Sequence, residues 1–171
     1  MGDPLYMQQL VFATRNKHKI REFQDLVAPL GLQAVSLSEL APDAPDVEET
    51  GSSFHANARL KAEAAYRLTG LPALADDSGI CIDALDGAPG IFSARWAGDS
   101  GPDKDESNND RMLRELEGVP DEKRGAHYAC SLVLVCGPDF IRADAPSPAT
   151  VRTDGAMEVH FQGQLFGRIG Y

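Results

Sequence analysis

Cysteine, tryptophan and positive charge are all scarce in this chain. Its three cysteines, Cys81, Cys130 and Cys136, are odd in number and lack C-x-x-C spacing, so neither a disulfide framework nor a zinc site follows. Cys130 and Cys136 fall in an apolar run, where buried structural thiols are the ordinary reading. Free thiols suit a reducing, cytoplasmic setting. Lys and Arg total 16 against 26 Asp and Glu, for a net charge of −10, so the basic face of a general nucleic-acid binder is missing. No apolar stretch approaches the ~20 residues of a membrane span. The opening Met1-Gly2-Asp3-Pro4 has neither the charged nor the apolar part of a signal peptide. Neither a nucleic-acid nor a membrane partner is expected.

What is present is ordinary for a globular chain: 171 residues, 43% hydrophobic and 25% charged. That length suits one domain or two closely joined lobes. Residues 10–13 (Leu-Val-Phe-Ala) read as a short buried strand. Ile20, Phe23, Leu26, Val27 and Leu30 then recur at helical spacing up to a stop at Gly31. Residues 34–37 form a candidate second strand. Ser52 or Ser53 is placed to cap a long helix reaching Thr69, with Gly70 beyond its end. Residues 71–75 and 80–84 read as two strands separated by a polar turn. A mobile polar loop is expected over 99–109, and a short helix over 111–117. Residues 127–135 read as a central strand, with 140–145 a possible partner. A last strand is expected over 157–161. Early alternation of strands and helices, then mostly strands, predicts a mixed α/β fold around one long sheet.

Three segments stand out chemically. In Ala75-Asp76-Asp77-Ser78-Gly79, two adjacent carboxylates lie between apolar runs, and burying them requires a cation or donors. The segment reads as a metal or catalytic-acid site, or as a capped turn. On an extended chain only one of the two aspartates would face a given cleft. Thr14, Arg15, Asn16, Lys17, His18 and Lys19 join a strand to a helix start, where free N–H groups attract phosphate. The alternative there is a solvated loop. Glu48 and Glu49 precede a helix and either complement its dipole or ligate a metal. Asn57 and Lys61 share a helix face with Phe54 and Ala58, odd company for a purely structural face.

Taken together, the pieces resemble the Ham1-like inosine/xanthosine triphosphate pyrophosphatases. The matching residues are Thr14-x-Asn16-x-x-Lys19, Glu49-Thr50-Gly51, and Phe54-x-x-Asn57-Ala58-x-x-Lys61-Ala62. Asp76-Asp77-Ser78-Gly79 and the run from Gly87 through Ala88, Pro89, Gly90, Ile91, Phe92, Ser93 and Ala94 to Arg95 complete them. They occur in family order. The resemblance implies an elongated mixed β-sheet flanked by helices, with two lobes and a cleft between them, and a homodimer. It implies hydrolysis of non-canonical purine nucleoside triphosphates (dITP, ITP, XTP) to the monophosphate and pyrophosphate, with Mg²⁺. Carried onto this chain, Thr14, Arg15, Asn16, Lys17, His18 and Lys19 would hold the triphosphate. Glu49 and Asp77 would bind the metal, Asp77 also accepting the proton of the attacking water. Lys61, Ser78 and Arg95 would contact substrate.

Family members carry further G-F-G-Y-D-P and S-H-R elements and a later lysine, which form most of the base pocket. Here residues 167–171 stand where that part begins, so the resemblance implies one domain over 1–171, truncated at its C-terminus. Two rivals follow. A Maf-type pyrophosphatase would open with S-x-S-P-R-R, which residues 14–19 do not match. A catalytically impaired nucleotide-binding or dimerisation module would bind Mg²⁺-dITP without turnover.

Overall fold

The computed structural model describes residues 8–14, 17–98, 101–141 and 149–170, the side chains of residues 17 and 18 excepted. The elements are β1 (Gln8–Phe12), α1 (Lys17–Val27), β2 (Leu32–Ser36), α2 (Leu37–Leu40), α3 (Phe54–Thr69) and β3 (Ala73–Ile82). They continue with α4 (Lys104–Glu115), β4 (Gly125–Cys136), β5 (Thr150–Val151) and β6 (Met157–Arg168). The strands form one six-stranded mixed sheet in the order β2-β1-β3-β4-β6-β5. β1 runs parallel to both β2 and β3, whereas β5 runs antiparallel to β6. No helix among the described residues is long and apolar enough to cross a membrane.

The chain divides into two units, and β3, β4 and β6 each contribute to both. The first comprises Met1–Gly51, His55–Asp76 and Leu132–Phe161. Its strands are apolar on both faces, as expected where helices cover a sheet. Leu10, Phe12 and Leu74 pack with Ile20 and Phe23 of α1, joined by Leu132 and Leu134. The alternate residues Ala75, Val133 and Val135 pack instead against Ala58 and Ala62 of α3. Gly31 closes the turn after α1 at φ +74°, a conformation that L side chains rarely adopt.

The second unit comprises Ser52–Phe54, Asp77–Ser131 and Gln162–Tyr171, around Ile82, Leu116 and Ala126. Buried Arg124 donates to the carbonyls of Leu116 (3.3 Å), Ile169 (3.2 Å) and Gly170 (3.1 Å), tying α4 to the residues after β6.

Three expectations fail, and a fourth is tested only at its first two residues. Residues 71–84 are not two strands about a turn: β3 runs unbroken through Asp76-Asp77-Ser78-Gly79. Residues 99–109 are not wholly a loop, because α4 begins at Lys104 with acidic Asp105 and Glu106 in its first turn, which complements the dipole. The final strand does not stop at residue 161 but reaches Arg168. Phe140 sits in a turn, its N–H on the Gly137 carbonyl at 3.2 Å, and residues 142–145 of that expected strand lie outside the described residues.

Candidate active site

In the first unit, β1 delivers the chain to Thr14, whose N–H donates to the Phe12 carbonyl at 2.8 Å, and α1 begins at Lys17 with no acidic residue in its first turn. The expected strand and helix are therefore present. Arg15 and Asn16, expected in the triphosphate loop, lie outside the described residues, as do the side chains of Lys17 and His18. Lys19, in the first turn of α1, donates from Nζ to Asp76 Oδ2 at 2.6 Å. Strand alternation explains that partner. Leu74 faces α1, so Asp76, two residues on, shares its face. The same alternation sends Asp77 to the opposite face, where it is 8% exposed. Spacing alone left open which aspartate would meet the cation of α1.

Two lysine–carboxylate pairs thus lie among the described residues of this unit. The second is Lys61 on α3, with Nζ 3.1 Å from Glu49 Oε1 in the preceding loop. Gly51 fixes that loop. Its N–H donates to Oδ1 of the fully buried Asn57 at 2.8 Å. A Cβ on Gly51 would stand 2.6 Å from that oxygen and 2.7 Å from the Ala56 Cβ, so only glycine fits. The polar face of α3 seen in the sequence is therefore used twice: Asn57 positions the backbone near Glu49, and Lys61 neutralises its carboxylate.

In the second unit, Ser78 is exposed on β3. Gly79 sits inside the strand, pressed so close to Gly90 and Ser93 that a Cβ would collide with both. Ser93 Oγ accepts from the Ile80 N–H at 2.9 Å and donates to the Gly90 carbonyl at 2.6 Å. These bonds hold the 3₁₀ segment Gly90–Arg95 beside β3. Arg95 ends it exposed, its guanidinium 5.4 Å from the Phe92 ring centroid. Trp96 is covered by Arg111, whose guanidinium carbon lies 3.9 Å from its ring centroid. Arg111 also donates to the Trp96 carbonyl.

Among the described residues, no three His, Cys, Asp or Glu side chains cluster to hold a metal ion. An all-protein cage for zinc or calcium is therefore not formed there. Magnesium makes a lighter demand: one or two carboxylates, with water and substrate phosphate completing its shell. The hard oxygens of Glu49 and Asp77 suit that chemistry.

An open α/β sheet with a helix start after its first parallel strand defines a class of fold suited to anionic ligands. Within that class, the chain belongs to the Ham1 family, whose model matches residues 10–171. It is 50% identical over 163 residues to a dITP/XTP pyrophosphatase of Geobacter sulfurreducens, covering 95% of this chain and 72% of that protein. It is also 50% identical over 129 residues to the dITP/XTP pyrophosphatase of Streptomyces avermitilis, covering 75% of this chain. The matched region is 64% of that relative's length, less than two thirds. Among solved structures, the Ham1 protein of Staphylococcus aureus superposes with a TM-score of 0.75 at 35% identity, over 95% of this chain and 72% of that one. A HAM1 protein from Coxiella burnetii gives 0.76 at 35% identity, over 95% and 73%.

Proposed function

We propose that this chain hydrolyses dITP, XTP and ITP to the nucleoside monophosphate and pyrophosphate, removing non-canonical purines from the nucleotide pool. Family membership and the names of the relatives support the reaction class. The observation that carries the reading onto these residues is the double pairing of Lys19 with Asp76 and Lys61 with Glu49. Each pair holds a cation and an anion in store. A magnesium–triphosphate ligand would suit both halves: Lys19 and Lys61 would bind phosphate oxygens, and the Glu49 carboxylate would help to hold the metal.

In this proposal Glu49 and Asp77 hold Mg²⁺. When bound, the ion neutralises phosphate charge and favours attack by water. Asp77 takes the proton of the attacking water. The water oxygen bonds to the α-phosphorus, the bond to the α–β bridging oxygen breaks, and pyrophosphate leaves with that oxygen. Lys19 and Lys61 stabilise the growing charge on the leaving group. Thr14, Arg15, Asn16, Lys17 and His18 supply further donors at the start of α1, with Ser78 and Arg95 as additional substrate contacts. A homodimer belongs to the same reading, and sedimentation equilibrium tests it.

The experiment is hydrolysis of dITP in ¹⁸O-water. The proposal requires the label in dIMP, with unlabelled pyrophosphate. Release of orthophosphate and dIDP, or label in pyrophosphate, would refute it.

A further inference from the structure

Opposite the Lys61 flank of α3 lies a second ionic system that the proposed reaction does not use. Arg152 follows β5 and is mostly buried, its side chain 11% exposed. Its Nη1 lies 2.5 Å from Glu63 Oε1 on α3 and 3.0 Å from Glu158 Oε2 on β6. Arg59, also on α3, reaches the same two carboxylates at 2.8 and 3.2 Å. The β5–β6 turn presents Arg152 in a fixed way. Its N–H donates to the Ala156 carbonyl at 2.8 Å, and its Nε reaches Asp154 Oδ1 at 3.3 Å. Burial raises the Glu63 pKa, but hydrogen bonds from Arg152 and Arg59 outweigh it and hold the carboxyl below its ordinary value.

The placement of this network on α3 gives it a use. At 3.6 residues per turn, residues two apart point about 200° from each other, so Lys61 and Glu63 lie on opposite flanks. Between them run Ala58, Ala62 and Ala65, all fully buried. Alanine methyls let a helix lie close to its sheet but form shallow ridges, which resist rolling weakly. The roll of α3 must be set at its flanks. One flank is the buried Asn57 bond to Gly51; the other is the arginine–carboxylate network.

We propose that Arg152 is a positioning residue: through Glu63 and Glu158 it fixes the roll of α3, and so the placement of Asn57 and Lys61. Its effect on turnover rests on the function proposed above; its effect on the helix does not.

The test compares Arg152→Ala, Arg152→Lys, Lys61→Ala and the Arg152→Ala/Lys61→Ala double variant. The first readout is amide hydrogen exchange. In Arg152→Ala the Gly51 amide, bonded to the Asn57 side chain, should exchange about tenfold faster while amides in the middle of α3 keep their protection. The second readout is kinetic. Arg152→Ala should raise KM for dITP about tenfold with kcat little changed, and the increase should vanish in the Lys61→Ala background, because the two residues act as one unit. Arg152→Lys should restore part of both effects, since an ammonium lacks the guanidinium fork. It also stands in if Arg152→Ala does not fold. Unchanged Gly51 exchange would overturn the proposal, as would KM effects that multiply in the double variant. If the unmodified chain does not hydrolyse dITP, the proposed function falls, and Gly51 exchange alone still decides the role of Arg152.

Discussion

Lys19 Nζ lies 2.6 Å from Asp76 Oδ2, joining α1 to the middle of β3 across 57 positions of sequence. The Lys19 side chain is 42% exposed, so water screens this pair; in the proposed function it keeps the ammonium in place for an anion. Lys19→Ala should therefore weaken triphosphate binding more than it slows chemistry. Expected is a rise of about tenfold or more in KM for dITP, with a smaller fall in kcat. Unchanged affinity by calorimetry with Mg²⁺-dITP would remove Lys19 from the phosphate site.

The fit of Gly51 against α3 is a matter of stability. Gly51→Ala forces its Cβ onto Asn57 and Ala56, an overpacking strain of about 1–3 kcal/mol. Asn57→Ala leaves the Gly51 N–H without its acceptor, for a loss of about the same size. Urea denaturation should show both as lower midpoints with unchanged slopes. A neutral Gly51→Ala would contradict the packing described for this loop.

Acidification should act in two stages. Burial, reinforced by the nearby charge of His55 and opposed by Glu158, lowers the His160 pKa below its ordinary 6.5. The unfolded chain therefore binds that proton more readily, and stability is lost as pH falls from 6.5 through the folded value. Glu63 has a folded pKa below its ordinary 4.5, so its contribution is present above 4.5 and is lost at lower pH. Thermal melts from pH 8 to 3 should show both stages, and His160→Asn should flatten the first. A melting temperature constant between pH 7 and 5 would be the contrary outcome.

Cys136 is fully buried, and burial pushes its thiol pKa up to about 11. Little thiolate forms at neutral pH, so alkylation by iodoacetamide should be slow in the folded chain and fast in urea. Mass spectrometry of the labelled peptides gives the answer. Rapid modification of native Cys136 would mean that β4 opens far more readily than its burial implies.

Much of the sheet was legible because its strands obey simple rules. Residues 10–12 and 132–135 are apolar on both faces, and Gly31 and Gly70 stop helices at positive φ where the pattern placed them. Two of the failures share a cause: residues held by distant partners. Asp76 looked like the edge of a turn because its counter-ion, Lys19, is remote in sequence. The first half of α4 looked like a loop because buried Asn108 anchors it through the Ala97 N–H and the Ser93 carbonyl, bonds that no apolar pattern shows. The later half of β6 carries no alternation because it is exposed throughout, with Leu165 and Phe166 each 73% exposed. At the site, residue types and spacing marked Lys61 and the pairs Glu48-Glu49 and Asp76-Asp77; the resemblance chose Glu49 and Asp77, and the pairing of each lysine required the folded chain.

The most direct test is steady-state pyrophosphate release from dITP, measured against Mg²⁺ concentration for this chain and for Asp77→Asn. The account predicts Mg²⁺-dependent release by the unmodified chain. It predicts a loss of about a thousandfold or more in the variant, the scale expected on removing a group that acts on the attacking water and the metal together. The circular dichroism of the variant should be unchanged. Near-normal turnover by Asp77→Asn, or turnover that ignores Mg²⁺, would contradict it.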